Sequence, residues 1–171
     1  MTIPVRLTRT ALALASAACL LAVGSPVLAA PAAPAATTTH CVLVLDEVRA
    51  GESASDVSSY RCFEGADASA RAAAAVPRAA AQTELMTWAE HADYGGTYTK
   101  VYGSAGPCDS AGYSFSPNSY WSTHLSSFLL DGGCTKAFLS GPRGNGTFGR
   151  SASYVGDTLN DAVTYVKIWR G

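Results

Sequence analysis

Two segments in the second half of the 171-residue chain recur, and this internal repeat limits the possible folds more than any other feature. The motif at residues 94–98 recurs 50 residues later, which aligns Gly96 with Gly146, and the motif at 122–128 recurs 38 residues later at 160–166. The unequal offsets indicate that the first copy carries roughly a dozen extra residues. Two four-strand units that bury their apolar faces against each other predict a β-sandwich of about eight strands.

The distribution of residue types agrees with an all-β fold. From Trp88 onward lie 14 of the 16 aromatic residues and 13 of the 16 glycines, so we expect the core and frequent turns in this half. Short apolar runs bounded by turn-forming residues predict strands. They lie at 97–102, 125–130, 135–139, 149–155 and 163–169.

The N-terminus has the order of charges and apolar residues that is typical of a secretory signal peptide. Arg6 and Arg9 precede an apolar run at 11–23, which is short for a membrane-spanning helix. Small residues then lead to a cleavage position after Ala29. We therefore expect residues 1–29 to be removed and the protein to be secreted. Residues 30–40, which are nearly all Ala, Pro and Thr, predict a flexible leader.

Cysteine usage fits an oxidising compartment. Cleavage of the signal removes Cys19 and leaves Cys41, Cys62, Cys108 and Cys134. An even count in an exported chain predicts two disulfides, and the sequence leaves all three pairings open. A zinc site is disfavoured because no cysteine pair has the short spacing of a metal knuckle.

Residues 41–83 form a predicted segment of their own. Two β-prone runs around a polar turn predict a hairpin, with Cys41 near the start of one arm and Cys62 near the end of the other. The Ala-rich stretch 66–84, which contains Pro77, predicts a connector of one short helix or two helical fragments.

Charge and motifs exclude several classes of function. The formal charge is −1, and without Arg6 and Arg9 ten basic residues face thirteen acidic ones. This balance offers no surface for nucleic acid or for an anionic membrane.

The sequence has no nucleophile elbow, zinc-peptidase motif or phosphate loop, and oxidised cysteines are not nucleophiles. Glu90 and His91 are adjacent, so on a strand they point to opposite faces. We expect no enzymatic activity.

Residues 84–171 resemble the βγ-crystallin family, whose Greek-key motif has a Gly-Gly hairpin and a later polar loop before a strand. The sequence Ala-Glu-His-Ala-Asp-Tyr-Gly-Gly at 89–96 and the segment 121–130 match one motif, and 139–146 with 160–169 match a second. Ala89 and Leu139 stand where the family has an aromatic residue. The resemblance implies two Greek-key motifs in one β-sandwich, with the disulfide-closed hairpin and short helix before it.

The arrangement is also similar to exported bacterial crystallin-like proteins that are classed with small metallopeptidase inhibitors. That likeness implies the pairs Cys41–Cys62 and Cys108–Cys134. Each bridge would contribute roughly 3 kcal/mol, chiefly by restricting the unfolded chain. It also implies a secreted, monomeric, non-catalytic module that binds an extracellular peptidase. A crystallin-like killer toxin makes an antimicrobial role an alternative.

Calcium binding, as in a structural or stress protein, is a further alternative that the resemblance implies. Family members with calcium combine the polar loop of one motif with a hydroxyl from the other, since Ca²⁺ needs many oxygen ligands. Asn160 and Asp161 with Ser126 would form one such site. The other arrangement is weak, because it pairs Thr164 with Ser122 and Thr123 and has no carboxylate. These residue types also cap turns, which is the competing interpretation.

Two surfaces could bind other ligands. The segment 103–119 is long and polar, and Cys108 can attach it to the rest of the protein. Such a segment is typical of a preorganised inhibitory loop. The alternative is an ordinary surface loop exposed to solvent. A second candidate is a carbohydrate-binding face of aromatic residues, although most of these could instead fill the core. Its members are Tyr98, Tyr102, Tyr113, Tyr120 and Trp121.

Overall fold

The secondary structure consists of nine strands, one α-helix and two short 3-10 helices within the residues described by the computed structural model, which are 38–49, 51–76 and 82–171. The strands are β1 (Thr39–Leu45), β2 (Val57–Glu64), β3 (Thr83–Ala89), β4 (Tyr98–Gly103), β5 (Tyr113–Phe115), β6 (Ser127–Leu130), β7 (Lys136–Gly141), β8 (Gly144–Phe148) and β9 (Tyr165–Trp169). The helix α1 spans Ala68–Ala75, and the 3-10 helices span Ala92–Tyr94 and Trp121–Thr123. The all-β class with a small helix is confirmed.

The first sheet has five strands in the order β2-β1-β4-β3-β6. β1 and β2 form the predicted hairpin, in which Cys41 lies opposite Cys62. β1 also pairs in parallel with β4, from His40 opposite Tyr98 to Leu45 opposite Gly103. The hairpin is therefore part of this sheet. The leader expected to reach residue 40 ends earlier, because β1 begins at Thr39.

The second sheet has four strands in the order β5-β9-β7-β8. β5 follows β4 in sequence, yet it pairs with β9 in the other sheet. The segment between β8 and β9 makes the reciprocal contact, because Ala152 forms an isolated bridge with Phe128 of β6 in the first sheet. Each half of residues 83–171 thus gives one segment to the sheet of the other half.

The main core lies between the two sheets. Its largest fully buried side chains are Trp88, Trp121, Phe115, Phe128, Leu139 and Ile168, with several further aliphatic residues. Each such side chain contributes roughly 1.5–3 kcal/mol through removal from water. A smaller cluster on the outer face of the first sheet joins Val42 and Val44 to Ala72 of α1.

The Ala-rich stretch contains one short helix, as predicted. Within 66–84, α1 covers Ala68–Ala75, where alanines dominate. Val76 is extended, as the residue before a proline prefers. Residues 77–81 lie outside the described residues, and residues 83 and 84 belong to β3.

Four of the five predicted strands are present, and one is not. β4, β6, β7 and β9 overlap the predicted runs at 97–102, 125–130, 135–139 and 163–169. The run 149–155 has only the bridge at Ala152.

The structure agrees with one of the two sequence repeats. The repeat of 122–128 at 160–166 is confirmed, since β6 and β9 begin 38 residues apart. The alignment of Gly96 with Gly146 is wrong, because Gly96 precedes β4 whereas Gly146 lies inside β8.

The prediction of two disulfides is confirmed. They join Cys41 to Cys62 and Cys108 to Cys134, with Cα–Cα distances of 4.1 and 4.9 Å. This is the pairing implied by the resemblance. Two disulfides indicate a non-reducing compartment.

The expected signal peptide at 1–29 and most of the leader lie outside the described residues. Among the residues that the structure does describe, no helix has the length and apolar character needed to cross a membrane.

Gly141 tests the close contact between β7 and the chain before β9. A Cβ atom there would overlap the carbonyl oxygen of Ala162, whereas a Cβ atom at Gly149 would meet no atom within 4 Å. We expect Gly141→Ala to lower the free energy of unfolding by about 2 kcal/mol or more and Gly149→Ala to change it by less than about 0.5 kcal/mol. Urea unfolding measures both values, and equal effects would contradict this packing.

Candidate functional site

The segment after β4 is fixed to the rest of the protein at several points. Cys108 is bonded to Cys134, and its backbone N–H donates to the carbonyl oxygen of Gly132 at 2.8 Å. The buried hydroxyl of Tyr113 donates to the carbonyl oxygen of Gly106 at 2.9 Å. These contacts hold both sides of the turn at residues 107–112, which we call the tethered turn.

The tip of the tethered turn is exposed and internally hydrogen-bonded. Asp109, Ser110 and Ala111 are exposed. Asp109 Oδ1 accepts hydrogen bonds from the N–H groups of Ala111 at 2.9 Å and Gly112 at 2.8 Å, and the Asp109 carbonyl accepts from Arg170 N at 2.7 Å. Aspartate commonly stabilises turns in this way. The tip is therefore accessible and also held in one backbone conformation.

Gly112 ends the turn and permits the entry into β5. Its φ of +69° lies in the left-handed region, and a Cβ atom there would overlap the carbonyl oxygen of Ile168 in β9. Only glycine meets both requirements without strain. No local sequence pattern marks this residue, because its role depends on the distant strand β9.

The accessible part of 103–119 is shorter than the expected solvated excursion. Residues 113–115 form β5 and are buried. The Ser114 hydroxyl donates to the carbonyl oxygen of Ser53 at 2.8 Å, and the Ser55 N–H donates to the carbonyl oxygen of Ser114 at 2.6 Å. Residues 53–55 thus cover this part of the segment.

Several residues of the expected calcium site lie together. Ser126, Asn160 and Asp161 line one cavity of about 430 Å³, together with Glu90 and His91. The Asp161 N–H donates to the carbonyl oxygen of Leu125 at 3.1 Å, so the loop before β9 meets the loop before β6. Asp161 has a φ of +55°. No pattern in the sequence marks Glu90 as a neighbour of this group.

Some of the oxygen atoms that could bind a metal in this cavity already accept hydrogen bonds within the protein. Asp161 Oδ2 accepts a hydrogen bond from Asn160 Nδ2 at 2.7 Å, and the Asn160 carbonyl accepts one from the Arg143 guanidinium. No group of three or more His, Cys, Asp and Glu suited to a metal occurs among the described residues. Ca²⁺ takes six to eight oxygens, so this donor set fits at most a weak site that keeps several waters.

The weaker predicted arrangement is not assembled at that cavity. Thr123 lines the cavity, but Ser122 and Thr164 do not, and the Thr164 hydroxyl donates to the carbonyl oxygen of Ser140 at 3.4 Å. The hydroxyl groups of Ser122 and Thr123 donate to the carbonyl oxygen of Ser119 at 3.0 and 3.3 Å. These three side chains make the local bonds that the turn-capping interpretation describes.

Glu90 carries a carboxylate with a lowered pKa. Burial raises its pKa, but the hydrogen bond from the Thr97 backbone N–H, 3.0 Å from Oε2, and further hydrogen bonds lower it more. The net pKa lies below its ordinary value of 4.5. A carboxylate with a lowered pKa is a weak proton acceptor at neutral pH.

The five aromatic residues proposed as one carbohydrate-binding face do not share a face. Tyr113 and Trp121 are buried in the core. Tyr102 packs with the cluster under α1, and the Tyr98 hydroxyl donates to the Ser69 hydroxyl at 2.8 Å. Tyr120 alone of the set is exposed. The competing interpretation, that these residues fill the core, is confirmed for Tyr113 and Trp121. Alternation along β4 places Tyr98 and Tyr102 on the outer face of the first sheet, beside α1.

The sequence matches no protein-family model, and comparisons with curated proteins and with solved structures find no significant match.

Glu90→Gln is expected to weaken the pH dependence of stability in acid. The folded pKa of Glu90 is lowered, so its contribution to stability is present above 4.5, the ordinary value, and is lost as pH falls through the folded value. The wild-type melting temperature should therefore fall more steeply with acidification than that of Glu90→Gln. Thermal unfolding followed by circular dichroism at a series of acidic pH values measures this difference, and parallel curves would contradict the lowered pKa.

Proposed function

We propose that this protein is an exported, non-catalytic module that binds another protein through the tethered turn, in the manner of a peptidase inhibitor. The observation that carries the proposal is the exposed tip Asp109–Ala111, fixed by a disulfide at Cys108 and by hydrogen bonds on Asp109. A segment that is already ordered loses little conformational freedom on binding, so more of its contact energy appears as affinity.

The proposed partner is an extracellular peptidase. A peptidase binds accessible backbone, and the tip offers three consecutive exposed residues. The Cys108–Cys134 bridge and the bond from Arg170 N to the Asp109 carbonyl would keep the turn in place in the complex. Export is supported by the N-terminal charge and apolar pattern and by the two disulfides. In this proposal the protein acts as a monomer.

We further propose that residues 83–171 are two Greek-key motifs of the βγ-crystallin type. β3, β4, β5 and β6 would form the first motif, and β7, β8, the segment at Ala152 and β9 the second. The exchange of the third segment between the sheets supports this assignment, since β5 pairs with β9 and Ala152 with Phe128.

Inhibition assays with matched variants test the role of the turn. The protein is incubated with a panel of thermolysin-like and serine peptidases, and residual peptidase activity is measured. Asp109→Ala removes the acceptor for Ala111 and Gly112, whereas Asp109→Asn keeps an acceptor oxygen. We expect Asp109→Ala to weaken inhibition about ten-fold or more and Asp109→Asn to retain most of it.

Asp157→Ala is the control, because Asp157 is also an exposed aspartate and lies outside the tethered turn. It should inhibit like the wild type. Absence of inhibition by the wild-type protein at micromolar concentrations across the panel would refute the proposal. Equal inhibition by all variants would place the binding surface elsewhere.

Weak calcium binding is a second candidate function, favoured by the meeting of Asp161, Ser126 and Glu90 at one cavity. Asp161→Asn is the informative variant, because asparagine tolerates the φ of +55° and can accept the bond from Asn160 while removing the charge. Ligand binding to the folded protein raises its stability by mass action. We expect millimolar calcium to raise the melting temperature of the wild type and of Asp157→Asn, but not of Asp161→Asn. An unchanged wild-type melting temperature would exclude this function.

A further inference from the structure

A groove lies beside β2, the edge strand of the first sheet. Tyr60 lies opposite Leu43 in the β1–β2 hairpin, and Leu43 belongs to the main core, so Tyr60 faces the same side. The groove has two adjoining compartments of about 160 and 310 Å³, both lined by Tyr60 and Asn118. Tyr60 is 38% exposed, so the groove opens to solvent.

A buried polar group without a partner belongs to the wall of the smaller compartment. Trp88 lines this compartment, is 1% exposed, and its indole N–H donates to no atom of the described residues. The Thr99 hydroxyl and the Trp121 indole N–H also have no partner among the described residues, although neither residue lines the groove. Thr99 is the cross-strand neighbour of Trp88, and the Trp88 and Trp121 ring centroids are 5.5 Å apart. Such groups are costly to leave unsatisfied, which favours a ligand with hydrogen-bond acceptors.

The smaller compartment suits a short apolar group that carries one acceptor oxygen. Apart from Trp88, its walls include Leu43, Val57 and Pro117. An acetamido group has a methyl group for such walls and a carbonyl oxygen that can accept from an indole N–H. The combination of apolar walls and a single buried donor is typical of a specific ligand pocket.

The larger compartment suits a ring with one apolar face and several hydroxyl groups. Tyr120 lines it, and the Tyr120 ring is held by stacking on His124, with centroids 4.2 Å apart and planes at 5°. Thr97, Glu64 and Asn118 supply polar groups. Asn118 Oδ1 accepts from the backbone N–H of Trp121 at 3.0 Å, so the Asn118 amide NH₂ is left to donate.

We propose that this groove binds an oligosaccharide of N-acetylated amino sugars, with the acetamido group in the smaller compartment and the sugar ring against Tyr120. The site is separate from the tethered turn, so this inference does not depend on the proposed inhibitory function.

Titration with triacetylchitotriose, observed by ¹H–¹⁵N NMR, tests the proposal. Cellotriose is the matched ligand, because it has the same β-1,4 linkage without acetamido groups. We expect the Trp88 indole resonance to shift with triacetylchitotriose at millimolar concentrations and to remain in place with cellotriose. Tyr120→Ala should weaken binding about ten-fold. Tyr154→Ala should bind like the wild type, because Tyr154 is similarly exposed and lines neither compartment.

Trp88→Phe tests the indole donor, since it keeps an aromatic ring and removes the N–H, and we expect it to weaken binding about ten-fold. If that variant does not fold, Asn118→Ala provides the second test, with the same direction expected. Equal shifts with both sugars would overturn the acetamido assignment. No shift with either sugar up to about 10 mM would overturn the carbohydrate site. Binding of acetyl-tetraalanine amide in place of the sugars would overturn it in favour of a peptide added to the edge of β2.

Discussion

The exchange of strand segments between the two sheets is the constraint on which the rest of the structure depends. β5 leaves the first half of residues 83–171 to pair with β9, and Ala152 leaves the second half to pair with Phe128. Each half of residues 83–171 thus gives a segment to the other, and residues of both halves build the core around Trp88, Phe115 and Phe128. Non-local pairing of this kind costs loop-closure entropy, which this core must offset.

The exchange also explains where accessible surfaces occur. The chain crosses from β4 to β5 through the tethered turn, which Cys108–Cys134 and Gly112 hold against the second sheet. β1 and β2 extend the first sheet to five strands, and a groove with Trp88 in its wall lies beside β2. A rigid frame with two fixed surface features is suited to recognition.

Local signals in the sequence were sufficient for the all-β class, the hairpin, four of the five predicted strands and the second repeat. They did not predict the parallel pairing of β1 with β4, because His40 and Tyr98 are far apart in sequence and no local pattern marks such a pair. The Ala-rich composition of 66–84 indicated a short helix but not its bounds, and residues 83 and 84 of that stretch belong to β3, which packs in the core through Met86 and Trp88. The groove was missed because Tyr60, Trp88 and Asn118 come from three separate segments.

Backbone order at the tip of the tethered turn is the most direct test of the central claim that this surface is preorganised. The ¹⁵N relaxation order parameters of Ser110 and Ala111 are compared with that of Ser114 in β5. Preorganisation predicts values of about 0.8 or higher at all three residues, whereas values below about 0.6 at Ser110 and Ala111 would show a flexible turn and contradict the account.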